Sequence, residues 1–186
     1  MWPKRVLYGP YKIKNMQLLR LRAEETIPFK EEMQDAFQHG FQAYYKEDET
    51  NQWQVLPDKD FYQSLEAEGA EAYEAIDADS QRVGGAIIAI NEENHHGELS
   101  FLYVKVGVQS KGIGQAIWKG IEAMHPETEV WETCTPYFDR RNIHFYINRL
   151  GFHAVEFFNE HHPDPHMPEQ FDQEDGLFRF EKRMAD

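Results

Sequence analysis

The sequence predicts an α+β layered fold, with a mixed central β-sheet of about seven strands flanked by about four helices. Three observations carry that reading. Seven segments alternate or run apolar as strands do, and four others place apolar residues at helical spacing. Strands paired in hairpins alternate with single crossover helices, which sets helices on the faces of one sheet. The chain of 186 residues is 41% hydrophobic, 14% aromatic and 28% charged, a globular balance with length for one core.

The elements follow in order. Residues 17–22 (QLLRLR) alternate as a strand. Residues 29–46 carry Phe29, Met33, Ala36, Phe37, Phe41, Tyr44 and Tyr45 on one helical face, with Pro28 near the first turn. Residues 61–70 read as a second short helix with Gly69 near its end. The period then changes. Residues 70–78 alternate as a half-buried strand, 77–80 turn, and 82–90 form an apolar strand, so the pair reads as a hairpin. After a turn at 91–97, residues 98–108 (ELSFLYVKVGV) give the strongest strand signal, followed at once by a glycine-rich run and a helix over 109–125. Residues 129–135 form a strand. Residues 138–150 form a helix capped by Gly151, and 152–158 and 177–184 are the last two strands. No repeat or linker divides the chain, so 1–186 reads as a single domain with a basic arm at 1–16 and an acidic loop rich in histidine and proline at 159–176.

Composition narrows the function classes. The net charge is −14, and from Ala23 onward it is −20, because the six bases of the first 22 residues face no acid. Such a field repels nucleic acid and anionic membranes and attracts cations. No stretch is long and apolar enough to span a bilayer, and the start has no apolar core of a secretory signal, so a cytoplasmic chain is expected. Cys134 is the single cysteine, which excludes an internal disulfide and a cysteine zinc site. His161, His162 and His166 stand among carboxylates, but nothing in their spacing fixes a coordination geometry, and no metal is expected.

The chemistry centres on residues 104–115. A strand runs into Gln109, Ser110, Lys111, Gly112, Ile113, Gly114 and Gln115 and then into a helix. Such a junction aims unpaired backbone N–H groups and the positive end of a helix dipole at an anion, glycine allows close approach, and Lys111 adds a charge. A phosphate cradle is the physical expectation, although the loop is neither a P-loop nor a dinucleotide fingerprint.

The spacing V-x-x-x-x-Q-x-x-G-x-G, from Val104 through Gln109 and Gly112 to Gly114, resembles the acetyl-CoA loop of the GNAT superfamily of N-acetyltransferases. The run FYINRLGF, Phe145 to Phe152, is similar to the F-Y-x-K-x-G-F signature of the same superfamily, and the element order matches its fold from about Gln17 to Met184. The resemblance implies a GNAT fold and an acyl-CoA-dependent N-acyltransferase, with acetyl-CoA as co-substrate and a primary amine attacking directly in a ternary complex. It implies that backbone N–H groups from Gln109 to Gln115 hold the pyrophosphate. Leu102 and Val104 would pair with the pantetheine arm as a strand would, where strands 98–106 and 129–135 splay apart.

Within that resemblance Tyr146 is the candidate acid for the leaving thiolate. The family usually has three residues between this tyrosine and the glycine. Here Ile147, Asn148, Arg149 and Leu150 make four, an extra residue that either rotates Tyr146 or is absorbed at the helix end. The asparagine that often begins this helix is displaced: Asp139 or Arg140 stands where it would fall, and Asn142 is the nearest substitute. Glu98 is the candidate base; strict alternation puts it on one strand face with Leu102 and Val104, and Glu132 or water are the alternatives. Cys134 reads as a buried small hydrophobe rather than a nucleophile. The acidic charge predicts a cationic small-molecule acceptor, with seven acids and no Lys or Arg from Glu156 to Asp175 lining its side. A non-catalytic CoA-binding module on the same fold is the alternative function, and a homodimer stays open.

Overall fold

In the computed structural model, residues 11–13, 15–43, 54–108, 112–165 and 176–184 are described. They form one eight-stranded sheet, with strands β1 (Tyr11–Ile13), β2 (Met16–Arg20), β3 (Ala70–Asp77), β4 (Arg82–Asn91), β5 (His96–Val104), β6 (Val130–Pro136), β7 (His153–Phe158) and β8 (Leu177–Arg183). Their order is β1-β2-β3-β4-β5-β6-β8-β7. Every neighbouring pair is antiparallel except β5 and β6. All seven expected strands are present. The eighth, β1, is three residues long, too short for its period to be read, and falls in the basic arm. Four helices flank the sheet: α1 (Thr26–Gln42), α2 (Asp58–Leu65), α3 (Ile113–Met124) and α4 (Arg140–His144), the last continuing as a π-helix over Phe145–Leu150.

The helices divide the core in two. On one face α1 and α2 bury Phe29, Met33 and Phe61 against Ala72, Ile87 and Tyr103. On the other, α3 and the π-helix bury Ile117, Trp118, Ile121 and Tyr146 against Ile88, Leu99, Trp131 and Phe180. Trp118 and Trp131 meet edge to face, with centroids 5.0 Å apart. Because both faces of β3 are covered, it is buried throughout Ala70–Ala75 rather than half-buried as its alternation suggested. Its two buried acids are consequently paired. Glu71 meets Arg20 Nη1 at 2.6 Å and accepts from the Tyr73 hydroxyl at 2.5 Å. Glu74 accepts from Arg82 Nε at 3.0 Å.

Two irregularities in β5 decide the geometry of the cleft. The β5–β6 ladder holds for three residue pairs, His96↔Val130, Gly97↔Trp131 and Glu98↔Glu132, and ends there, although both strands run on. The expected splay of these strands is present. On the other edge, Leu99 pairs with Ile88 and Phe101 with Ile87, which leaves Ser100 as an unpaired bulge. The extra residue resets the alternation. Leu99 and Leu102 face α3, whereas Phe101 and Tyr103 face α1. Glu98, alternating with Leu99, therefore shares its face with Phe101 and Tyr103 and lies opposite Leu102 and Val104. The common face expected for these three residues is corrected by one bulge.

Candidate active site

A cleft of about 1190 Å³ opens where β5 and β6 part, and it is lined from both faces of the sheet. At one end stands the first turn of α3. Gly112 is its N-cap at φ +73°, and a Cβ there would meet nothing within 4 Å. The first α3 hydrogen bond runs from Ala116 N to Gly112 O (3.0 Å), so the amides of Ile113, Gly114 and Gln115 have no partner one turn back in the helix. All three residues line the cleft. Gly114 is required for a different reason: a Cβ would stand 2.9 Å from Phe145 Cζ and 3.4 Å from Val104 Cγ2. The helix backbone packs directly on the FY turn and on β5. Gln115 contributes position rather than a side-chain ligand, since its Nε2 donates to Arg149 O at 2.9 Å and ties α3 to the π-helix. Gln109, Ser110 and Lys111 lie outside the described residues.

Leu102 and Val104 line the cleft on the α3 side. Past Glu98 no strand among the described residues pairs with this edge of β5; a side chain bridges the gap instead, Thr133 Oγ1 donating to Leu99 O at 2.8 Å. Tyr146 enters from the same side. The extra residue between it and Gly151 is absorbed by the π-turn: the amides of Gly151 and Phe152 both reach Tyr146 O, the latter at 2.9 Å. Tyr146 thereby keeps its ring between Phe152 and Phe180 and its edge in the cleft wall. Burial pushes its phenol up to about 12, only partly offset by hydrogen bonding with Thr133. Asn142 also lines the cleft, with its amide turned to Asp139: its N and Nδ2 donate to the two carboxylate oxygens at 2.9 and 2.7 Å. Asp139 caps α4, a role that the displaced asparagine left unassigned in the sequence.

On the opposite face Glu98 and Glu132 stand side by side on paired positions of β5 and β6. Arg179 holds Glu132, with Nη1 at 2.7 Å from Oε2, and the same guanidinium meets Glu181 at 2.8 Å and Glu156 at 3.0 Å. Glu98 has a distant Ser100 hydroxyl at 3.5 Å. It is open to solvent, yet the cleft walls desolvate its carboxyl and Glu132 repels its charge, so it is held above the usual carboxylate range. Cys134, beyond Glu132, is exposed in the cleft wall rather than buried as expected, and its thiol is pushed up to about 12 by desolvation and then by Glu132 and Asp164, which disfavours the thiolate. In the late loop the Asn159 carboxamide caps a tight turn, accepting from the amides of His161 (2.8 Å) and His162 (3.0 Å). Each of these histidines meets its own carboxylate, His161 with Glu160 at 3.2 Å and His162 with Glu156 at 2.9 Å. No metal-binding group of three side chains is present among the described residues, and His166 lies outside them.

Sequence reasoning missed the site roles of Thr133, Arg179 and the phenylalanines of the α1 side, and it placed Asp139 only at the position of the displaced asparagine. Alternation along 177–184 carried a signal for Arg179, which shares a polar face with Glu181. Nothing marked the others.

The parallel pair β5–β6 parts beside a helix that starts on a glycine, and the sequence profile of the Acetyltransferase (GNAT) family matches residues 30–152. The chain belongs to that family. It is 40% identical over 175 residues to the uncharacterized protein YrkN of Bacillus subtilis (strain 168), covering 90% of this chain and 93% of that one. Its fold is similar to that of the PaiA N-acetyltransferase of Thermoplasma acidophilum in complex with coenzyme A (TM-score 0.64, 17% identity, 91% of this chain and 99% of that one). It is also similar to spermidine N-acetyltransferase of Vibrio cholerae in complex with CoA and spermine (TM-score 0.63, 11% identity, 92% and 96%).

Proposed function

We propose that the protein transfers an acetyl group from acetyl-CoA to a cationic primary amine by direct attack in a ternary complex. One observation carries this reading: a single cleft passes between the splayed strands, with Tyr146 on one face and Glu98 on the other. The first turn of α3 is a phosphate site by its amides and dipole, and Gln109, Ser110 and Lys111 complete the cradle in the proposal. Beyond Glu98, where the β5–β6 ladder ends, the stretch of β5 at Leu102 and Val104 takes the extended arm of the co-substrate as a further strand. The two solved relatives that hold CoA support the choice of co-substrate.

The reaction forms a nitrogen–carbon bond and breaks a carbon–sulfur bond. The amine must be neutral to attack, so its proton passes to Glu98, directly or through water. The developing oxyanion takes a backbone N–H near Val104. The thiolate leaves on the α3 side and takes its proton from Tyr146. A raised carboxyl at Glu98 suits a base that must accept a proton near neutral pH. Acids around the amine raise the amine's own pKa, which makes that base more necessary.

The test measures CoA affinity by calorimetry and free-thiol release from acetyl-CoA with a panel of amines. Binding with amine-dependent thiol release is expected. Binding without release for every amine would instead indicate a non-catalytic CoA-binding module.

A further inference from the structure

The half of the cleft on the α1 side is not a generic cation trap. Its walls include Phe37 and Phe41 of α1, Phe101 of β5 and Phe138 of the turn after β6. Phe37 and Phe101 meet edge to face at 5.9 Å, and Phe41 and Phe138 at 5.7 Å. The Ser100 bulge puts Phe101 on the face of Glu98, three residues along the strand, roughly 7–10 Å away. Arg179 already balances Glu132 at 2.7 Å, which leaves Glu98 facing an incoming ammonium.

We infer that the acceptor is a primary amine of single positive charge on an aromatic body, its ammonium beside Glu98 and Glu132 and its ring against Phe37, Phe101 and Phe138. The inference rests on the acyl-transfer reading and narrows its substrate class. A ring fills a wall of edge-to-face rings with favourable quadrupole geometry, beyond the gain from buried area. The roughly 7–10 Å between Glu98 and Phe101 along the strand leaves room for an ammonium joined to a ring by a short linker. A polyamine whose chain followed the ring wall would lay a second ammonium against phenyl rings, where desolvation costs more than a cation–π contact returns. An amino acid would set its carboxylate against the carboxyls of Glu98 and Glu132. Asp60 and Asp164 also line the cleft, which makes spermidine the rival acceptor for the experiment to exclude.

The experiment compares kcat/KM for 2-phenylethylamine, propylamine, spermidine and phenylalanine at saturating acetyl-CoA. 2-Phenylethylamine is expected to exceed each of the others about 10-fold or more, the scale of one buried ring. Phe101→Leu and Phe138→Leu keep apolar volume and remove the ring; each should lower the ratio of 2-phenylethylamine to propylamine about 3- to 10-fold. A preference for spermidine, or an unchanged ratio in whichever variants fold, overturns the inference. Calorimetry of 2-phenylethylamine with the CoA-bound protein separates the two readings. Binding without turnover of any amine refutes the transfer reading and keeps the pocket. Failure of 2-phenylethylamine to bind refutes the inference, while turnover of another amine keeps the transfer reading.

Discussion

The Tyr146 side chain has one polar atom, and burial, the Thr133 hydroxyl and a π-turn hold it at the wall of the cleft. A phenol pushed up to about 12 stays protonated through the neutral range and remains a proton donor there. Tyr146→Phe should therefore lower kcat about 100-fold, the scale of general acid catalysis, with CoA affinity nearly kept. Intact turnover with a good acceptor would remove Tyr146 from the chemistry. Glu98 predicts the opposite limb of the pH profile. Its carboxyl is raised, so kcat/KM should fall as pH drops through a value above the usual carboxylate range, where the base becomes protonated. Glu98→Gln should lower the rate and flatten that acid limb. A variant that keeps the limb assigns it to Glu132 or to the amine itself.

At the scale of elements, the start of α3 carries two glycines with different duties. Gly112 needs its left-handed backbone but has open space around its Cβ, so Gly112→Val acts first by straining and reshaping the N-cap. It should weaken CoA binding about 10-fold or more while the fold survives. Gly114→Ala sets a methyl 2.9 Å from the Phe145 ring. That overpacking should cost about 1–3 kcal/mol and displace the neighbouring Tyr146, read as a lower Tm together with a lower kcat. If Gly112→Val binds CoA with native affinity, the α3 terminus is not the phosphate site. The strands, the four helices and the glycine junction were legible because each spans enough residues for its period to repeat. The Ser100 bulge was not legible. A bulge adds one residue with no compositional mark, and that residue moved Glu98 to the other face. The π-turn was half legible: the count from Tyr146 to Gly151 showed an excess residue, but only the backbone shows that it widens the helix rather than rotating the tyrosine. Arg179 and the ring wall required the sheet order, which brings β8 beside β6 and α1 beside β5.

Across the whole molecule the charge of −14 sets the approach of substrate. A cationic acceptor enters down the field, and salt screens that attraction. The kcat/KM for a cationic amine should fall steadily from low salt to about 0.5 M, where the Debye length is roughly 4–5 Å. A cation whose kcat/KM is independent of salt would leave the charge a matter of solubility alone.

The short β5–β6 ladder also has a mechanical meaning. Backbone continuity between the part of the sheet made by β1–β5 and the part made by β6–β8 rests on three residue pairs, so the sheet has a fracture line through its middle. Beyond those pairs the two parts are held by the shared core of Trp118, Trp131 and Phe180 and by the side-chain bond from Thr133 to Leu99 O. Local opening should start at that line, at a free energy below that of global unfolding. A co-substrate seated as the missing strand then acts as a staple, worth about 2.7 kcal/mol at 100 times its Kd. Hydrogen exchange should report it: amides of Val130–Pro136 and of the gap-facing edge of β5 should slow on adding CoA, while those between β3 and β4 change little. Equal protection with and without CoA would mean that the fracture line stays open when the ligand binds.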